Sequence, residues 1–132
     1  MTTKMPFIDA DGTIYINRGN KLVIEYSIEN DESDYVFKEG DVVSFGIYKE
    51  KGMDEEPVLY KEFKATAGET TIDISITAKE MKIGDYINKE VKYWYEIELN
   101  DEETTTGFDY EDGAKILWLY PEGKKIDVSS QE

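Results

Sequence analysis

The chain has 132 residues with no cysteine and no histidine, and 30 acidic against 15 basic residues give a formal charge of -15. That balance repels nucleic-acid phosphates and anionic head groups. The missing residue types remove disulfides, thiol nucleophiles, thiolate metal sites and the side chain most used for proton transfer near neutral pH. With 39% apolar and 13% aromatic residues the length suits one domain, residues 1–132, with its own core. No apolar run nears the roughly 20 residues of a membrane-spanning helix. The opening MTTKMPFIDADG carries no apolar stretch of the kind a secretory leader needs.

Taken in chain order, most segments alternate apolar and polar residues, the two-residue period of a pleated strand. A short strand, TIYI (13–16), is followed by the turn RGN (18–20). KLVIEYSIE (21–29) then puts Leu22, Ile24, Tyr26 and Ile28 on one face, with only Val23 breaking the pattern. DVVSFGIYK (41–49) aligns Val43, Phe45 and Ile47, and PVLYKEFKA (57–65) is a weaker strand. TTIDISIT (70–77) sets Ile72, Ile74 and Ile76 against Asp73 and Ser75, while VKYWYEIEL (91–99) aligns Tyr93, Tyr95, Ile97 and Leu99. Turn-forming clusters rich in Gly, Asn and Asp separate these runs. Seven to eight short strands so divided predict an all-β, antiparallel sandwich or barrel, and the sandwich is the architecture expected.

Two segments depart from the alternation. TAKEMKIGDY (77–86) carries Thr77 and Glu80 at capping-box spacing and ends near Gly84, which predicts one short helical turn. The second is ILWLY (116–120), which is apolar at every position and therefore needs cover on both faces. Gly113 in the preceding EDG allows a kink, so one interrupted terminal strand is expected from about Thr104 to Tyr120. The tail from about 124, KKIDVSSQE, reads as a frayed end.

No reaction chemistry emerges. IDADGT (8–13) spaces Asp9 and Asp11 like the first ligands of a calcium loop, but Gly12 follows at once and later ligands are missing, so it reads as a turn and no metal is expected. The acidic runs at 31–34, 54–56 and 101–103 read as solvated loop tips. A hydrolase built on two carboxylates alone is conceivable, yet nothing singles out a pair, and phosphate-loop motifs are absent. No catalytic residue, cofactor or enzyme activity is expected. What stands out is aromatic: Trp94 alternates away from Tyr93 and Tyr95, toward solvent, and Trp118 lies in the doubly apolar run. Trp94, Ile116, Trp118 and Tyr120 are the candidate partner-binding residues, able to anchor a protein interface or stack on a sugar. The alternation leaves open whether both tryptophans instead pack beneath neighbouring loops.

GTIYINRGNKLVIEYSI (12–28), EGDVVSFGIYK (39–49), VKYWYEIEL and the closing KILWLYPEG together resemble the small immunoglobulin-like β-sandwich domains of tailed-phage structural proteins, such as the N-terminal domain of siphophage baseplate upper proteins. The resemblance implies a virion component of the tail or baseplate, made in the bacterial cytoplasm. It would act through contacts with other tail proteins or with itself rather than by catalysis. The alternative is a carbohydrate-binding module that uses exposed aromatics on host glycans.

Overall fold

A computed structural model of the chain describes residues 6–29, 33–50, 56–84, 87–107 and 114–122. These residues are all-β: β1 (Phe7–Ile8), β2 (Ile14–Asn17), β3 (Leu22–Tyr26), β4 (Val42–Tyr48), β5 (Leu59–Lys64), β6 (Ile72–Ile76), β7 (Val91–Leu99), β8 (Glu103–Thr106) and β9 (Lys115–Tyr120). The larger sheet runs β1-β2-β9-β7-β4-β5, with β8 also on β7, and β3 pairs with β6 in a second sheet of two strands.

The alternating runs fold as their period demands. Ile74 and Ile76 of β6, Leu22 of β3, Val43, Phe45 and Ile47 of β4, and Tyr93, Tyr95, Ile97 and Leu99 of β7 are buried in one cluster that both sheets share. Ile24, Tyr26, Ile28 and Ile72 pack against its margin. Each fully buried aliphatic contributes roughly 1.5–3 kcal/mol. Leu117 and Leu119 from the inner face of β9 join this cluster, which accounts for half of the doubly apolar run. Phe37, Met81 and Ile83 join it from outside the strands, where no alternation marked them. Phe37 is held by backbone bonds, donating to the Glu69 carbonyl at 2.9 Å and accepting from the Gly68 amide at 2.9 Å.

Three expectations are corrected. The larger sheet is not purely antiparallel, because β2 runs parallel to β9, with Tyr15 opposite Trp118 and Asn17 opposite Tyr120. Periodicity reports which face a side chain takes and is silent on strand direction. The count is nine among the described residues, since two-residue β1 carries too little alternation to be recognised, while β8 and β9 fall within the stretch expected as one interrupted terminal strand.

Nor is there a helix among the described residues. The capping box does form, with the Thr77 amide donating to Glu80 at 2.9 Å and the Glu80 amide to the Thr77 hydroxyl at 3.1 Å. One turn follows, closed by Met81 N–H on the Thr77 carbonyl, 3.0 Å. The next amide, Lys82 N–H, bonds the Lys79 carbonyl only three residues back at 3.2 Å, so the turn tightens and stops, and the carbonyls beyond it serve other segments. Gly19 N–H takes that of Met81, and the Arg18 guanidinium takes those of Lys82, Ile83 and Gly84 at 3.2, 2.9 and 2.9 Å. Arg18 also pairs with Glu122, so one side chain ties the β2 end, this turn and the β9 end together.

β8 and β9 lie along the same edge of β7, since β4 occupies the other edge from Val43 to Tyr48. Gly107 closes β8 against β7: a Cβ there would sit 2.7 Å from Glu96 Cα, and its φ of 131° suits glycine. The Gly113 kink and the tail from 124 lie outside the described residues.

Candidate functional site

The outer face of the larger sheet collects the aromatic residues that the core leaves out. In register, Phe7 stands opposite Tyr15, Tyr15 opposite Trp118, Ile116 opposite Trp94, and Trp94 opposite Tyr48. Gly46, two residues before Tyr48, stands opposite Tyr60. These side chains alternate with buried neighbours such as Ile14, Ile16, Leu117 and Ile47, so they point away from the shared core. Phe7, Tyr15, Ile116, Trp118, Trp94 and Tyr48 are half-buried, and Tyr60 is exposed. The outcome is an aromatic band across six strands, from β1 to β5.

Local packing sets how the band presents itself. The Phe7 and Tyr15 rings meet at 5.8 Å between centroids, tilted by 31°. The ammonium of Lys92 lies 4.5 Å from the Trp94 ring centroid, a cation–π contact that occupies one face of the indole. Tyr48 folds back over Gly46, where an added Cβ would lie 2.9 Å from its ring, so only glycine lets the ring lie against the strand. Burial pushes the Tyr48 hydroxyl up to about 12, helped by the charges of Glu96 and Glu98. Burial likewise raises Tyr60 and the Glu98 carboxyl, and Asp101 adds to both.

Of the four sequence-predicted residues, Trp94, Ile116 and Trp118 fall together on this band. Tyr120 does not present itself. It shares their outward parity but is only 1% exposed, stands apart from the shared core cluster, and burial takes its hydroxyl up to about 12, with Glu90 and Tyr15 adding to the shift. Reasoning from alternation alone missed Phe7, Tyr15, Tyr48 and Tyr60. The signal existed, since each stands at the outward parity of its strand, but only the register shows that they adjoin the tryptophans.

Elsewhere the polar groups serve the fold. Asp9 Oδ1 accepts from the amides of Asp11 and Thr13, each at 3.0 Å, and Oδ2 from the Tyr15 hydroxyl at 3.3 Å, so this loop spends its carboxylate on its own turn. Asp41 is buried and accepts from Asn100 Nδ2 at 3.0 Å, Lys38 N–H at 2.9 Å and Tyr35 hydroxyl at 2.7 Å, bonds that hold its carboxyl below the ordinary range. Lys61, on the inward parity of edge strand β5, reaches to the Ser75 carbonyl and Glu80, both at 2.9 Å, and this pairing takes Glu80 down to about 2. A cleft of about 320 Å³ opens between the sheets beside Ile24, Tyr26, Tyr95, Thr105 and Thr106. Its hydroxyls are satisfied within the fold, Tyr26 donating to the Thr105 hydroxyl at 2.9 Å and Tyr95 to the Gly12 carbonyl at 2.5 Å. Among the described residues, no three acidic, histidine or cysteine side chains gather to hold a metal, and no helix is long and apolar enough to cross a membrane.

Comparisons with family models, with curated proteins and with solved structures returned no match.

Proposed function

We propose that the chain is a non-enzymatic structural or adaptor module of a phage tail or baseplate, acting through the outer face of its larger sheet. The observation that carries the contact reading is the aromatic band itself. A sheet face meant for water needs no such residues, and a row of Phe7, Tyr15, Trp118, Ile116, Trp94, Tyr48 and Tyr60 gains most when a partner completes its burial. An immunoglobulin-like description is supported by the topology: β7 between β4 and β9, with β5 added beyond β4, on one sheet, and β3 with β6 on the other. The Tyr93 hydroxyl, near the start of β7, lies close enough to Gly84 that a Cβ added there would sit 2.8 Å from it. The phage assignment rests on the sequence resemblance, which also makes the virion the expected location.

The experiment is co-purification of the full chain with the products of its neighbouring tail genes, in wild type and in Trp94→Ser/Trp118→Ser, alongside light scattering of the chain alone. Loss of a stoichiometric complex in the variant is expected. A wild-type chain that stays monomeric and captures no tail protein would overturn the proposal. The rival reading, glycan binding through Trp94, meets the lysine ammonium already lying over that indole. Saturable glycan-array binding lost in Trp94→Ala would restore it.

A further inference from the structure

The aromatic band is not electrically neutral along its length. Toward the β7–β8 hairpin it ends on carboxylates: Glu96 and Glu98 from β7, Glu62 from β5 opposite Ser44, and Asp101 from the turn. Asp101 is bound into the band, accepting from the Tyr60 hydroxyl at 2.9 Å and lying 3.4 Å from the Ser44 hydroxyl. Tyr60 also reaches Glu62 at 3.4 Å. On the same face, Lys64 follows Glu62 along β5 and Lys92 lies over Trp94, so this end carries an excess of negative charge. Burial holds the Glu98 carboxyl above its ordinary range, and the charge of Asp101 beside it adds to the shift.

A second copy of this chain is a poor occupant for such a face. It would bring a further formal charge of -15. Long-range repulsion would then oppose association before any aromatic contact formed. A positively charged protein surface gains on both counts, steered in by the net charge and neutralising carboxylates that now crowd one another.

We infer that the occupant of this face is a basic protein surface whose apolar centre covers Trp94, Ile116 and Trp118 while its arginine or lysine side chains engage Glu62, Glu98 and Asp101. The inference rests on the contact reading above and names the partner's chemistry for the same face. Arginine suits the carboxylate end best, because its planar fork meets a carboxylate in two parallel bonds.

The test uses the full chain and calorimetry with two short peptides, one alternating Arg with Tyr and Val, the other carrying Glu in place of Arg. Two double variants remove the same formal charge from opposite faces: Glu62→Gln/Glu98→Gln on the aromatic face, and Glu25→Gln/Asp73→Asn on the outer face of the β3–β6 sheet. Circular dichroism melts verify that all fold. The Arg peptide is expected to bind and the Glu peptide not. Glu62→Gln/Glu98→Gln should weaken binding about tenfold, against about twofold or less for the opposite-face pair, and raising salt from about 50 to about 300 mM should also weaken it.

Equal weakening by the two double variants, or equal binding of the two peptides, overturns the inference. Trp94→Ser/Trp118→Ser separates this failure from failure of the contact reading. If both peptides bind alike and both are lost in the tryptophan variant, the face is a contact surface with no preference for positive charge. If Arg-peptide binding survives the tryptophan variant, the contact reading itself fails. A wild-type dimer that the tryptophan variant dissolves would assign the face to a second copy and so also overturn the inference.

Discussion

The outer faces of the two sheets obey the same alternation, and only the larger one carries a row of aromatics. On the two-stranded sheet, Val23 stands opposite Ser75 and Glu25 opposite Asp73, an exposed surface in which two carboxylates share one cross-strand position. On the larger sheet the outward positions hold Tyr15, Trp118, Ile116, Trp94 and Tyr48 beside the charged Lys92, Glu96, Glu98, Glu62 and Lys64. Both sheets bury their inner faces in one core, so stability alone does not explain the difference. An antiparallel sheet with one wet face is satisfied by polar side chains there, as the smaller sheet shows. Aromatics at the same positions are the ground on which the contact role of this face is proposed.

The comparison breaks first if the shared core is wrong. Phe45→Ala from the larger sheet should cost roughly 3–5 kcal/mol, and Ile74→Ala from the smaller roughly 2–5 kcal/mol, read by urea denaturation. A single cooperative transition in both variants is expected; two separate transitions would mean that the sheets do not depend on one core. Arg18→Ala comes next. It strips the partners from the Lys82, Ile83 and Gly84 carbonyls and should cost about 2–3 kcal/mol in the same assay, with Arg18→Lys recovering only part.

Smaller effects sharpen the contrast between the faces. Tyr48 and Tyr120, both on the outward parity of the larger sheet, have hydroxyls raised from 10.0 to about 12. A phenol whose folded pKa lies above its unfolded value favours folding in full below pH 10.0, and that contribution is lost as pH climbs toward about 12. An absorbance titration near 295 nm should therefore show late-ionising tyrosines whose ionisation accompanies alkaline unfolding. Tyr48→Phe should remove one of them while leaving the fold intact. At the acid end, Glu80 is depressed from 4.5 to about 2, so its contribution is present above pH 4.5 and declines as pH falls through about 2. Lys61→Met should reduce the slope of stability against pH in that window. The smallest change is expected at Glu25 and Asp73, where Glu25→Gln should slightly raise the thermal midpoint at low salt by relieving like charges across the strands.

How much of this was legible beforehand differs between the fold and the site. Ile72, Ile74 and Ile76, or Val43, Phe45 and Ile47, disclose strand and face together, because burial on one side of a pleat imposes a period of two. The parallel pairing of β2 with β9 was not legible, nor were Phe37, Met81 and Ile83 as core residues. Strand direction leaves no periodic trace, and an irregular segment can deliver one large side chain to the core without a pattern. Trp94 and Trp118 could be picked out singly as outward or ambiguous. That Ile116 lies beside Trp94, and Tyr15 beside Trp118, depends on register between strands far apart in the chain. Tyr120 is the opposite lesson, since its parity points outward and yet it is buried.

Both tryptophans of the chain lie on the aromatic band, so their fluorescence reports on this face alone. The most direct measurement is acrylamide quenching of the full chain, first by itself and then in complex with a co-purified protein of the kind proposed for this face. The expected result is ready quenching of the free chain and marked protection in the complex. Tryptophans that quench equally in both states would show that the partner does not cover this face, and the central claim would be wrong.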